Sequence, residues 1–372
     1  MSESSLRLGG SASGHKILTS DAIKDRAREL GFDLCGVAPA KSFPELSYFK
    51  KWIDLGYAGT MGYLPRTAER RSDVRNVVPS ARSVIVTGTL YNSGQPYSTE
   101  RNDATRAEIA RYAWSGDYHD VIGGRMNGLL AWMQEQAGEP FDARAYVDTG
   151  PVQERVYAQH AGLGWIGKNT CVINPELGSW LLLGAIICSL PLDTGSPSLD
   201  QCGTCTLCLE ACPTGAFPAP YELDATKCVS YLTIEYRGSI PEGQRAAVGN
   251  HIFGCDICQE VCPWNASPVN TADPTWSSRQ HLNLAGLIDL WRRTDDELAE
   301  FAGDTAMTRA GVKGLRRNIA VALGNSGDRG ALDALEETAA EPTKRDSLVT
   351  EHVQWAMQKL ADARVSGRPD PA

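Results

Sequence analysis

Eleven cysteines stand among the 372 residues, and eight of them form a pattern that can do chemistry. The run "CGTCTLCLEACPTGAF", Cys202 to Phe217, holds four at spacings of three, three and four, with a proline directly after the last. "CDICQEVCPWN" repeats the end of that pattern with Cys255, Cys258 and Cys262 but lacks a first cysteine. Three closely spaced thiolates wrap one face of a four-iron cubane, and in two-cluster ferredoxins the cysteine before the proline crosses to the other cluster. By that rule Cys202, Cys205 and Cys208 hold one [4Fe–4S] cluster, with Cys262 crossing over. Cys255 and Cys258 belong to the second, with Cys212 crossing over, and Cys228 in "ATKCVSYL" fills its last position. Zinc favours paired cysteines on knuckles, which two runs ending in Cys-Pro fit poorly. Cys35, Cys171 and Cys188 lie in apolar or strand-like contexts and read as packed small hydrophobes.

Two cubanes placed close together form an electron wire, yet about 180 residues precede them, enough for a further domain. Something in that region must receive the electrons. "GLGWIGKNT" sets Gly162, Gly164 and Gly167 in GxGxxG register, but a helix precedes it where a dinucleotide site needs a strand. Asn169 follows Lys168 where a phosphate loop needs Ser or Thr, so that motif is missed too. Two readings stay open: a glycine-rich connection, or backbone lying flat against a large planar cofactor.

The elements that must position these residues show in the pattern. "TSDAIKDRARELGFD" predicts a helix capped at Ser20 or Asp21 and closed at Gly31. "SVIVTGTLY" from Ser83, "ARAYVDTGP" and "WLLLGAIICSL" predict strands, and "VIGGRMNGLLAWMQEQAG" and "PVQERVYAQHAG" predict helices. "PLDTGSPSLDQ" and "NASPVNTADPTWSSRQ" read as linkers on either side of the cysteines. Beyond them Leu315, Ile319 and Leu323 share one helical face, and short amphipathic helices follow in a HEAT-like manner. The expected divisions are a loose tail over 1–15, a mixed helix-and-strand domain over 16–195, a ferredoxin-like domain over 196–275 and a helical domain over 276–372. The fold class is α+β and multidomain.

Composition bounds the function. Hydrophobic residues make up 42% and charged residues 22%, as in an ordinary globular protein. The longest apolar run, Trp180–Leu190, is too short to span a bilayer, and no secretory signal opens the chain. Clustered cysteines then point to a reducing cytoplasm and no membrane. The net charge of −9 argues against broad nonspecific nucleic-acid binding. Between Ser196 and Thr275 nine acids face three bases, a balance of −6, whereas "PRTAERRSDVR" and "RAGVKGLRR" are local basic patches. On a helix Lys313, Arg316 and Arg317 would share one face and offer it to phosphates.

"YVDTGPVQERVYAQHAGLGWIGKNT", "GSWLLLG", "CGTCTLCLEACPTGA", "CVSYLTIE" and "HIFGCDICQEVCPWN", in that order, resemble the epoxyqueuosine reductase family over about residues 20 to 360. The resemblance implies an α/β cobalamin-binding domain fed by the two clusters, and a HEAT-like helical domain at the C-terminus. It implies reduction of an epoxide on a modified wobble base to an alkene, in tRNAs with GUN-type anticodons. The Asp of "VDTGP", Asp148, would be the proton donor, its pKa raised by burial against the corrin. Arg71, Tyr112, Lys168, Asn169, Ser230 and Thr233 match family positions near the cofactor or substrate, and His119 in "DYHD" could touch substrate. A monomer drawing on an external electron donor is expected. The alternatives are a corrinoid reductive dehalogenase, which usually carries an export signal missing here, and a ferredoxin-type carrier with no substrate of its own.

Overall fold

The computed structural model describes residues 18–279, 281–282, 284–337 and 342–365. The tail expected over 1–15 lies outside them. Four antiparallel strands form the main sheet, in the order Leu34–Pro39, Ser83–Leu90, Leu181–Cys188, Ala143–Tyr146. Both central strands are rich in apolar residues, and Ser83–Leu90 is buried along its whole length, because both faces of the sheet are covered. Ile85 and Ile186 point to one side, against Ile23, Ala27, Ile122 and Met126 of the helices Ser20–Glu29 and Tyr118–Gln136. Val84, Val86, Ala185 and Ile187 point to the other, against Val156, Tyr157 and Ala158 of the helix Glu154–His160. The first helix is capped by Thr19, whose hydroxyl accepts from the Ala22 amide, one residue before the expected cap.

The glycine run after Ala161 resolves one open reading. It leads into a hairpin, Trp165–Ile166 paired with Val172–Ile173. A Cβ on Gly164 would collide with the Ile173 carbonyl, so glycine is needed there for strand-to-strand approach.

The expected boundaries at 195/196 and 275/276 do not separate independent cores. One apolar cluster joins Ala107, Ile109 and Trp114 from the first region, Ile252 and Phe253 from the cysteine region, and Leu287, Leu298, Ile319 and Leu323 from the C-terminal helices. A parallel pairing of Glu108–Ile109 with His251–Phe253 ties the first two regions. The helix Gly311–Ser326 packs between the helix Ser347–Val365 and the cysteine region, buried on nearly every side.

Candidate functional site

The eight cysteines gather in two groups, and none forms a disulfide. Cys208 faces Cys262, Cys202 and Cys205, and burial with those neighbours pushes its thiol up to about 11. Cys255 lies beside Cys228 and Cys212, and burial raises its thiol well above the ordinary value. Cys258 completes this second group, with Cys255 and Cys228 as neighbours. Backbone amides point at the sulfurs: Ala216 N donates to Cys212 Sγ at 3.3 Å, and Ser230 and Tyr231 amides reach Cys228 at the start of the helix Val229–Ile234. Such donors stabilise negative sulfur. Among the described residues no three Cys, His, Asp or Glu side chains close on a single ion. Two groups of four thiols match the ligand number of two cubanes.

Cys171 departs from its expected role as packing. Asn169 Oδ1 accepts from the Cys171 amide at 3.2 Å, and Asn169 Nδ2 donates to the Cys258 carbonyl at 3.1 Å. This strap lays the Cys171 thiol against that of Cys258.

Three residues expected at the cofactor do other work. Lys168 is buried and its ammonium donates to the carbonyls of Gly203 and Cys205 at 2.7 and 2.9 Å, bracing the first cysteine loop. Asn169 is spent on the strap just described. Thr233 is fully buried, its hydroxyl donating to the Val229 carbonyl and accepting from the Gly254 amide. These groups hold backbone in place. Ser230 gives its amide to Cys228.

Asp148 lies beyond the strand Ala143–Tyr146 with φ at 55°, a left-handed conformation that Asp tolerates better than most residues. Its side chain is 65% exposed. His119, at the start of the helix Tyr118–Gln136, meets Asp148 Oδ2 with Nε2 at 3.4 Å and Asp117 Oδ1 with Nδ1 at 2.8 Å. The hydrogen bond from His119 is the main cause that holds the Asp148 carboxyl below its ordinary value, and the same bond raises His119. Without a corrin against it, Asp148 is shifted down, and the pairing favours the proton on the imidazole side. Tyr118 also hydrogen-bonds Asp148, and Tyr112 packs edge-on against Tyr118 at 5.8 Å. Arg71, in the helix Ala68–Ser72, donates to the Val152 carbonyl at 2.8 Å, tying that helix to the loop that follows Asp148.

Sequence reasoning missed Glu154. Burial pushes its carboxyl up to about 8, with Asp148 nearby, and Glu154 Oε1 has no hydrogen-bond partner. No motif marks it, because its character comes from the packing around it.

The expected phosphate patch is largely absent. Arg316 is buried and donates to the carbonyls of Trp291 and Arg293 and to Asp295. Arg317 is buried and donates to the carbonyls of Leu232, Tyr236 and Gly238. A helix covered on all sides has no solvent face for them to share. Lys313, 53% exposed beside Asp346, and Arg309, 55% exposed beside Glu235, still face water.

A double-cluster iron–sulfur module joined to a sheet domain and C-terminal helices defines a redox enzyme. Residues 201–265 match the model "4Fe-4S double cluster binding domain", and residues 71–149 match "Epoxyqueuosine reductase QueG, DUF1730". The chain is 40% identical to the epoxyqueuosine reductase of Xanthomonas campestris pv. campestris over 340 residues, covering 90% of this chain and 94% of that one. It is 34% identical to the Escherichia coli epoxyqueuosine reductase over 344 residues, covering 92% and 89%. A crystal structure of an epoxyqueuosine reductase with an epoxyqueuosine-modified tRNA-Tyr stem loop superposes with a TM-score of 0.82 at 28% identity, over 94% of each chain. A Bacillus subtilis epoxyqueuosine reductase with its catalytic aspartate loop swung out of the active site superposes at 0.81, with 28% identity over 93% and 91%. The chain belongs to the epoxyqueuosine reductase family, a family of oxidoreductases.

Proposed function

We propose that this chain reduces epoxyqueuosine to queuosine at the wobble position of a GUN-anticodon tRNA. Electrons would pass through two [4Fe–4S] clusters, on Cys202, Cys205, Cys208 and Cys262 and on Cys212, Cys228, Cys255 and Cys258, to a cobalamin. The observation that carries the reading is the Asp148–His119 pair: an exposed carboxyl in left-handed backbone, within hydrogen-bond reach of an imidazole.

A corrin needs an open face with polar groups left over at its rim. The open side of Asp148 and the unpartnered Glu154 Oε1 fit that need, with Tyr112 and Arg71 on the elements that frame them. When bound, cobalamin would supply a low-valent metal centre for electron delivery to the epoxide. This chain's residues manage protons and position. Turning an epoxide into an alkene and water takes up two electrons and two protons, and oxygen leaves poorly unless protonated. His119, anchored by Asp117, would pass its proton through the Asp148 carboxylate to the leaving oxygen, and solvent would supply the second proton.

RNA contact falls to exposed groups near that pair. Tyr63 is 37% exposed. The Arg309 guanidinium lies 5.8 Å from the Tyr63 ring centroid, and both residues feel the Asp148 charge. An exposed ring with an arginine over it suits a base splayed out of its loop. Lys313 lies four residues beyond Arg309, so the C-terminal helices over 276–372, HEAT-like in this reading, would carry the tRNA-binding role. The enzyme would act in the cytoplasm as a monomer. Among the described residues no helix is long and apolar enough to cross a membrane.

The test is Asp148→Asn in anaerobically reconstituted protein. It should retain both clusters and cobalamin but lose about 10²-fold or more in turnover, the loss expected for a general acid. Near-normal turnover with saturating tRNA would return Asp148 to the role of a turn residue.

A further inference from the structure

Two cysteine groups of unequal exposure give the wire a direction. In the first loop Gln201, Gly203, Thr204, Thr206 and Leu207 are exposed. Around the second group Gly254, Asp256 and Glu260 are buried, as are Val229 and Tyr231 beside Cys228, and its exposed neighbours are Pro213 and Gly215 beside Cys212. The first group thus presents the wider exposed margin to an outside protein.

Three of the large hydrophobic side chains most exposed among the described residues belong to this loop or its margin: Leu199 at 81%, Leu207 at 48% and Tyr221 at 40%. They sit on a fixed frame. Asp200 Oδ1 accepts from the Cys202 amide at 2.8 Å, and Asp200 Oδ2 accepts from Tyr221 Oη at 2.5 Å. The Tyr221 amide donates to the Lys168 carbonyl, whose ammonium braces the same loop. A lone exposed leucine is ordinary, but several on one braced loop around a redox centre make a patch.

The loop itself is acidic, and the next base along the chain, Lys227, is paired with Asp224. Residues 196–226 contain Asp200, Glu210, Glu222 and Asp224 and no lysine, arginine or histidine. The Lys168 ammonium, the cation closest to the loop backbone, is turned inward onto two carbonyls. RNA would be repelled here, and so would the same face of a second copy.

We propose that this loop is the electron entry point, and that it docks a small one-electron carrier protein through a positively charged face with an apolar centre. The inference rests on the cluster assignment in the proposed function. In each encounter the carrier gives up one electron and the oxidised first cluster gains it, so one epoxide requires two encounters. Complementary charge would raise the encounter rate while a small contact area keeps the complex short-lived.

The test uses the full reconstituted chain with its clusters reduced, oxidised in stopped flow by ferric cytochrome c, a basic one-electron protein. Raising the salt from about 0.01 to 0.15 M, which shrinks the Debye length from about 30 to 8 Å, should slow the reaction about tenfold. An acidic plant-type ferredoxin, oxidised, should react more slowly and gain speed with salt. Leu207→Ala with Glu210→Lys should lower the cytochrome rate about tenfold, with iron content and cluster potentials unchanged. Leu207→Ser with Glu210→Gln serves as the milder pair if the first disturbs folding. Rates indifferent to salt and to both pairs would overturn the entry site. Equal loss in Asp54→Lys with Leu55→Ala, a pair outside this loop, would do the same by showing only a net-charge effect. A chain that takes up no iron would instead sink the cluster assignment, and this inference with it.

Discussion

At the level of single residues, the proton is held differently from what an isolated aspartate in a loop suggests. "VDTGP" marks Asp148 by resemblance, but nothing in that string shows that His119, 29 residues earlier, keeps its carboxyl ionised. The pairing depends on where the helix Tyr118–Gln136 starts, and the Asp117 cap fixes that start. Because His119 is raised above 6.5 by its acid partners, it keeps its proton below the raised value and loses it as pH climbs through it. Turnover at saturating tRNA should therefore fall on the alkaline side, and His119→Gln should lower the plateau and remove that limb. A pH–rate profile of both proteins checks this; an alkaline limb that persists unchanged in the variant would remove His119 from the proton path. Lys168 and Asn169 teach the opposite lesson. The glycine-rich string flags them as ligand-facing, and only the fold reveals that two carbonyls and a backbone strap consume them.

Among the elements, those with strong periodicity were the easiest to read. The apolar runs at Ser83–Leu90 and Leu181–Cys188 form strands because a sheet covered on both faces tolerates apolar residues at every position. The strand Leu34–Pro39, short and holding a glycine, and the helix Pro44–Asp54, which opens on a proline and has no side-chain cap, were not anticipated. The helix Gly311–Ser326 was legible as a helix but its arginines were misread, since a charged residue signals solvent only when its partners are unknown. Arg317→Ala would leave three carbonyls in the cysteine region without their donor, and buried acceptors without partners cost about 1–3 kcal/mol each. The variant should lower the denaturant midpoint, and where it still folds its tRNA salt slope should match the parent. In the cysteine elements, Cys228→Ser should reduce iron from about eight to about four per chain, with one cluster's spectrum retained. Full iron in that variant would reject Cys228 as a ligand.

For the whole molecule, the surfaces proposed for RNA and for the electron carrier lie on different regions of the chain. Arg309→Ala with Lys313→Ala should weaken tRNA binding and reduce its salt slope by about two units, one per lost phosphate contact. An unchanged slope across a salt titration would move the RNA surface elsewhere. The C-terminal helices and the cysteine region also share a histidine. His352 accepts from the Ile240 amide and is fully buried, and burial pushes it down to about 4. A base depressed from 6.5 leaves stability intact above that value and removes it as pH falls towards about 4. By pH 5 the loss should approach about 2 kcal/mol, and His352→Gln should flatten it in urea titrations at two pH values. The sequence showed three stretches of distinct composition, yet Asn318 donates to the Thr233 and Ile252 carbonyls, and Asn325 to those of Arg245 and Gly249. These bonds make cluster capture and helix docking draw on one backbone. Iron supply then acts on this protein as a ligand acts on a folding equilibrium. A chain starved of iron would lose more than its wire: its C-terminal helices would open more often, and proteases would clear it in proportion to the cell's iron deficit.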